Sequence, residues 1–281
     1  MNDAPDWGSG DQTAEPFEDG LYGIASLLSG WAPSLTTALL DEDRRRQHTL
    51  LTLATHFPQT LVGANRAIEV ATAAVEFVGH SDFEPLGELV RRTAANLQIS
   101  FDGVLTRRES VVMDTCRDQM EIAALAQDFL HEPQRIPKWL SGKDRAREFG
   151  FKRLIEKYES DLLILPTGGR PGLLREYAAH SEGLHPRAET VNPGTLPKTP
   201  VPISLEWWLP MTIREILHHA HATLAQLDLA LCFHLKREDW PLGVVNAADD
   251  DPLIFAIGQL AQLAQLQSQM LAQANVDTPG I

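Results

Sequence analysis

The chain has 281 residues, 43% of them hydrophobic, which is enough apolar material for one sizeable core or two small ones. Its net charge of −14 excludes a uniformly basic nucleic-acid binder, but that charge is unevenly spread. Residues 1–20 and 238–281 each hold six acids and no base, and the middle sets 24 Lys and Arg against 26 acids. A local basic surface is therefore still allowed.

Residues 1–17 are acidic, contain Gly and Pro and lack periodicity, so a disordered leader is expected. This start is unlike a secretory signal, and no apolar run reaches the ~18 residues of a membrane span, so a soluble, cytoplasmic protein without membrane contact is expected. Short helical pieces follow between Leu21 and Leu40, broken at Gly30 and Pro33. A long helix is predicted from Arg44 to Val78, interrupted at Pro58. Arg44, Arg45 and Arg46 follow Asp41, Glu42 and Asp43, which points to local charge compensation. Another helix covers 84–98, and Ser100-Phe101-Asp102-Gly103 suggests a junction that closes an N-terminal helical subdomain over 18–100.

The second part, 101–275, opens with a helix from Arg107 to Leu130, with Val112, Cys116, Met120 and Ala123 as its apolar stripe. The two cysteines, Cys116 and Cys232, have no metal or redox spacing and suit buried thiols. The segment 131–137 breaks the helix, and residues 131–160 form the most basic window, with eight Lys or Arg against five acids. The Gly/Pro run at 166–172 predicts a turn, and a helix from Leu173 to Leu184 follows it. Five prolines make 186–202 an extended excursion, and Val201–Trp208 suits one short strand. Helices over Thr212–Lys236 and about 252–273 complete the domain, the latter capped by Asp251 ahead of Pro252, with a flexible tail at 276–281. The expected fold is all-α: a multi-helix bundle with at most one short strand or hairpin.

The residues best suited to chemistry gather between Arg175 and Pro186. Arg175 offers a guanidinium fork for a phosphate, and His180 or His185 offers an imidazole for proton transfer. Ser181 is placed to position a substrate. Arg175 and His180 stand ~140° apart around a straight helix, so they converge only if the helix ends between them. Non-catalytic roles suit the same residues, since a histidine at a helix C-terminus favours its dipole. On the helix that follows, His218 and His221 share a face and Asp228 lies on the same side, three groups able to begin a zinc or iron site. His180 or His185 completes that set if the two helices pack face to face.

The spacing Arg175-x4-His180 resembles the signature of the HEPN superfamily of small helical bundles. The order of features from Arg108-Glu109-Ser110 through Glu132-Pro133, Trp139-Leu140 and Phe149-Gly150 to Tyr177-x3-Ser181-x3-His185-Pro186 is similar to that of uncharacterised bacterial HEPN-like proteins. The resemblance implies a HEPN-like core and an RNA-binding or metal-independent RNA-cleaving component of a defence or toxin system. Arg175 would then hold the scissile phosphate, with His180 or His185 and Ser181 beside it. The family's polar residue after the arginine is Glu176 here, and a pairing of Ser181 with His185 instead implies an inactive binder. RNA, a protein partner such as an antitoxin, and a second copy through the C-terminal helix are the expected partners, and no cofactor is implied. The alternatives are a non-enzymatic helical interaction module and a metal-dependent hydrolase built on His218 and His221.

Overall fold

A computed structural model describes residues 32–79, 84–142, 145–158, 169–182, 205–236, 241–245, 248 and 250–277. The expected leader (1–17), the proline-rich excursion (186–202) and His185 lie outside these residues. The chain divides into two compact units, residues 1–47 and 48–281. Among the described residues all regular structure is helical, an all-α multi-helix bundle. None of the described helices is long and apolar enough to cross a membrane.

The helices are α1 (Pro33–His56), α2 (Pro58–Gly79), α3 (Glu84–Thr106), α4 (Glu109–His131), α5 (Ile136–Leu140), α6 (Arg145–Glu148), α7 (Phe151–Tyr158), α8 (Gly169–Glu182), α9 (Leu205–Leu235) and α10 (Pro252–Asp277). In the first unit, Arg44 pairs with Asp41 and Arg46 with Glu42, each at 3.1 Å, the compensation expected of that charge run. Pro58 opens α2 at a position where its missing N–H is not needed.

Several boundaries differ from the sequence expectation: α1 opens at Pro33 and runs unbroken through residues 40–44, where a gap between helices is expected. Ser100–Gly103 continues α3, which ends at Thr106. Arg107 then takes a left-handed conformation (φ 60°), while its N–H reaches Val104 O and the Arg108 N–H reaches Gly103 O. This paired cap normally uses glycine, so the stop carries no glycine signal. Gly103 serves the corner differently, because a Cβ there would lie 3.0 Å from Val112 Cγ2 on α4. Residues Gly169–Gly172 form the first turn of α8 rather than part of a loop, since Pro171 sits where a helix does not use its N–H donors. Finally, the expected strand at 201–208 is overturned from Leu205 onward. Residues 205–208 begin α9, which carries Pro210 within it, and residues 201–204 lie outside the description.

In the second unit α9 is the central element, packed against α4, α3, α2 and α10. Its positions from Ala222 to Asp228 are buried without a break, the pattern of a helix surrounded by others. It runs parallel to α4: Thr223 Oγ1 donates to Gln119 O, and His234 Nε2 lies 3.1 Å from Phe129 O, about three turns further along both helices. The stripe Val112, Cys116, Met120 and Ala123 is buried as its periodicity predicts. Asp128, fully buried on α4, accepts from Arg135 Nη1 and Tyr158 Oη, both at 2.7 Å, tying the segment after α4 to α7. Lys138 pairs with Glu148 and Lys157 with Glu132, so much of the basic window is neutralised internally.

The cap expected at Asp251 is present, its carboxylate accepting the Leu253 N–H at 2.9 Å. It also pairs with Arg66 of α2 at 3.0 Å. Gly63 lets α10 approach α2 closely, since a Cβ on it would fall 2.3 Å from Ala256 Cβ and 3.1 Å from Pro252 O. Gly63→Ala is therefore expected to destabilise the protein by about 1–3 kcal/mol. Gly258→Ala, where nothing lies within 4 Å of the new Cβ, should stabilise by up to ~1 kcal/mol. Urea denaturation of both variants checks the contact, and equal effects at the two positions would refute it.

Candidate metal centre

The sequence between Gly169 and Glu182 places Glu176 and His180 four residues apart on α8, and α9 repeats that spacing with Glu215 and His219. Residues at i and i+4 share one face of a helix, so each helix presents a carboxylate and an imidazole together. The two faces meet. His219 Nε2 lies 3.2 Å from His180 Nε2, 3.4 Å from Glu176 Oε1 and 3.6 Å from Glu215 Oε2. One ligand-type atom from each of the four residues falls within 4.8 Å of all the others. Both imidazoles are buried, whereas the Glu176 and Glu215 side chains are 24% and 26% exposed, so the cluster opens toward solvent on its carboxylate side.

Helix α4 closes another side. Met113 Sδ lies 3.0 Å from His180 Nδ1. A thioether can only accept, so the proton sits on Nδ1 and the Nε2 lone pair points into the cluster. Tyr177, next to Glu176, donates to Glu121 of α4 at 2.6 Å and stacks on Phe151, which fixes the rotation of α8. Cys116, buried on the same face of α4 one turn beyond Met113, has its thiol pushed up by burial and by the Glu215 and Glu176 carboxylates.

The charges are strongly coupled. Burial opposes a charge on His219, but attraction to the Glu176 and Glu215 carboxylates outweighs it and lifts the imidazole to about 9. Burial likewise opposes the Glu215 carboxylate, and attraction to His219 overcomes it, bringing the group down to about 2. Glu176 is lowered by its contact with His219 against a smaller burial effect. His180 moves the opposite way, lowered by burial and by the charge on His219. Without a metal the cluster thus holds one imidazolium between two carboxylates, with a neutral imidazole beside them.

The residues singled out by sequence are distributed unevenly around this centre. His180 is part of it. Arg175 is exposed on α8, and because the helix runs unbroken through both residues their side chains leave it on different sides. Ser181 is helical, its side chain outside the described residues, as is all of His185. His218 and His221 lie half-buried on α9; the His218 ring meets that of His219, and neither residue joins the four ligand atoms. The Asp228 carboxylate instead accepts the backbone N–H groups of Leu242, Val244 and Val245 at 2.8, 2.9 and 3.4 Å, pinning that segment to α9. Helix α8 does meet the histidine-rich helix, but at His219 rather than at His218 or His221. Glu215 and His219 were not among the sequence-derived candidates, although the repeated Glu-x3-His spacing could have revealed them.

A pH dependence follows for the metal-free protein. His219 is raised above its ordinary 6.5, so its stabilising contribution is complete below that value and is lost as pH rises through about 9. Glu215 is lowered from 4.5, so its contribution is present above that value and is lost as pH falls through about 2. Resistance to urea should therefore be greatest between 4.5 and 6.5 and decline on the alkaline side, with His219→Gln flattening that decline. Wild-type stability that stays level through pH 9 would rule out the bridging imidazolium. Comparison with protein-family models, with curated proteins and with solved structures found no match to this chain.

Proposed function

We propose that the protein binds one divalent transition-metal ion between α8 and α9, through Glu176, His180, Glu215 and His219. The observation that carries this is the convergence of two carboxylate oxygens and two imidazole nitrogens within 4.8 Å. Four ligands at bond lengths of about 2.0–2.1 Å around a tetrahedral ion stand about 3.3 Å apart. The separations from His219 Nε2, at 3.2, 3.4 and 3.6 Å, are close to that value. Mixed nitrogen and oxygen donors suit zinc, iron(II), cobalt(II) or manganese(II) rather than calcium. Charge also fits. Two carboxylates balance a divalent ion once the His219 proton leaves, and a buried site of this kind favours neutrality. The Met113 contact acts on His180 as partners outside a metal's ligand shell commonly do, by selecting the tautomer whose Nε2 can bind.

A metal held in this way could act as a Lewis acid or lower the pKa of a bound water, the chemistry expected of an enzyme at the partly open side. The HEPN-like alternative, a metal-independent RNA-binding or RNA-cleaving component of a defence or toxin system, uses Arg175 and His180 and has no need of Glu215 or His219. A non-enzymatic interaction module needs none of the four.

Calorimetric titration of chelator-treated protein with zinc, cobalt(II) and manganese(II) separates these readings. The expected result is one ion per chain, with affinity reduced about 10–100-fold or more in Glu176→Gln and His219→Ala. Saturation at 100 times Kd should stabilise the wild type by about 2.7 kcal/mol. Absence of binding would overturn the metal reading. RNA cleavage that persists in chelator and disappears in Arg175→Ala would establish the ribonuclease in its place.

A further inference from the structure

Arg214 and His218 border the open side of the centre. They sit four residues apart on α9, on either side of Glu215 in sequence, and both are half-buried. The Arg214 guanidinium lies 3.6 Å from Glu215 Oε1, whereas Glu215 Oε2 is the oxygen turned toward His219. At 3.6 Å the first contact is one of charge rather than a hydrogen bond. Arg214 thus stands beside the metal-binding carboxylate without its donors being spent on that oxygen. The His218 ring meets the His219 ring edge-on, with centroids 5.6 Å apart, and so reaches the border of the same ligand set.

We infer that the filled centre takes a small carboxylate ligand, a monoanion, on the side flanked by Arg214 and His218. This inference rests on the metal reading above. The argument is one of charge, geometry and coordination together. With a divalent ion in place, Glu176 and Glu215 cancel the metal, and Arg214 leaves the assembly one positive charge in excess. A monoanion restores neutrality where a dianion would overshoot. A tetrahedral ion held by four protein ligands can expand to a fifth, and the two partly exposed carboxylates mark the side from which that fifth position is reached. The planar fork of Arg214 matches the two oxygens of a carboxylate. One oxygen binds the metal while the other takes the arginine's donors, and His218 supplies a further polar edge. The two imidazole ligands, being buried, close the opposite side.

Cobalt(II)-loaded protein tests this directly, because the visible absorption of cobalt reports changes in its ligands. Acetate is titrated against the saturated protein at constant ionic strength, with perchlorate as the weakly coordinating control. The expected result is a saturable spectral change with acetate and none with perchlorate. In Arg214→Gln, again at saturating cobalt, the apparent acetate Kd should rise at least about tenfold, and Arg214→Lys should recover part of the loss. A wild-type spectrum unmoved by acetate would overturn the proposal, as would an equal acetate affinity in the Arg214→Gln protein. Failure of cobalt to bind at all gives no protein-derived spectrum in any sample, an outcome that removes the metal centre itself and is distinct from a loaded centre indifferent to acetate.

Discussion

Two carboxylates and two imidazoles placed side by side in a helical interior must be balanced by positive charge. That requirement governs the relation of α8 to α9. With a proton as the only cation, His219 serves as a bridge, drawing both carboxylates toward one nitrogen. That nitrogen has a single hydrogen to offer, so it cannot satisfy both oxygens fully. A divalent ion does what the proton cannot, because it can engage all four donors at once. The same competition lowers Glu215, which gains from a positive neighbour, and adds to the burial that already lowers His180.

The rest of the second unit holds these groups in register. Helix α9 is buried on nearly every side and α4 runs parallel to it, so two long helices define a stiff frame. Helix α8 joins that frame through Tyr177 to Glu121 and through His180 to Met113. Two buried aspartates elsewhere find partners close by, Asp128 in Arg135 and Tyr158, Asp228 in three backbone N–H groups. These are structural uses of charge, each with its partners close at hand. The Glu176–His180–Glu215–His219 cluster differs, since its members face each other with more acceptors than donors.

The helical class was plainly legible in the sequence, because the apolar stripe of α4 and the Asp251 cap are local patterns that the fold preserves. The stop at Arg107 was hidden, since a left-handed arginine looks like any other arginine on paper. Pro171 misled in the other direction. Proline marks many helix ends, but in the first turn of a helix its missing donor costs little, and Pro171 lies in the first turn of α8. The candidate site was half visible. His180 stood out beside Arg175, while Glu176 looked like an unfavourable neighbour for a phosphate rather than a ligand. Its counterpart Glu215 gained meaning only from the packing of α8 on α9, a long-range relation that residue spacing alone does not fix.

The matching Glu-x3-His segments have a mechanical consequence. They lie on two helices well separated in sequence, so an ion shared by them would act as a removable cross-link between α8 and α9. Like a disulfide, it would restrict the unfolded chain, and unlike a disulfide it would come and go with the concentration of the free ion. The hold of α8 on α9 would then be set by metal supply.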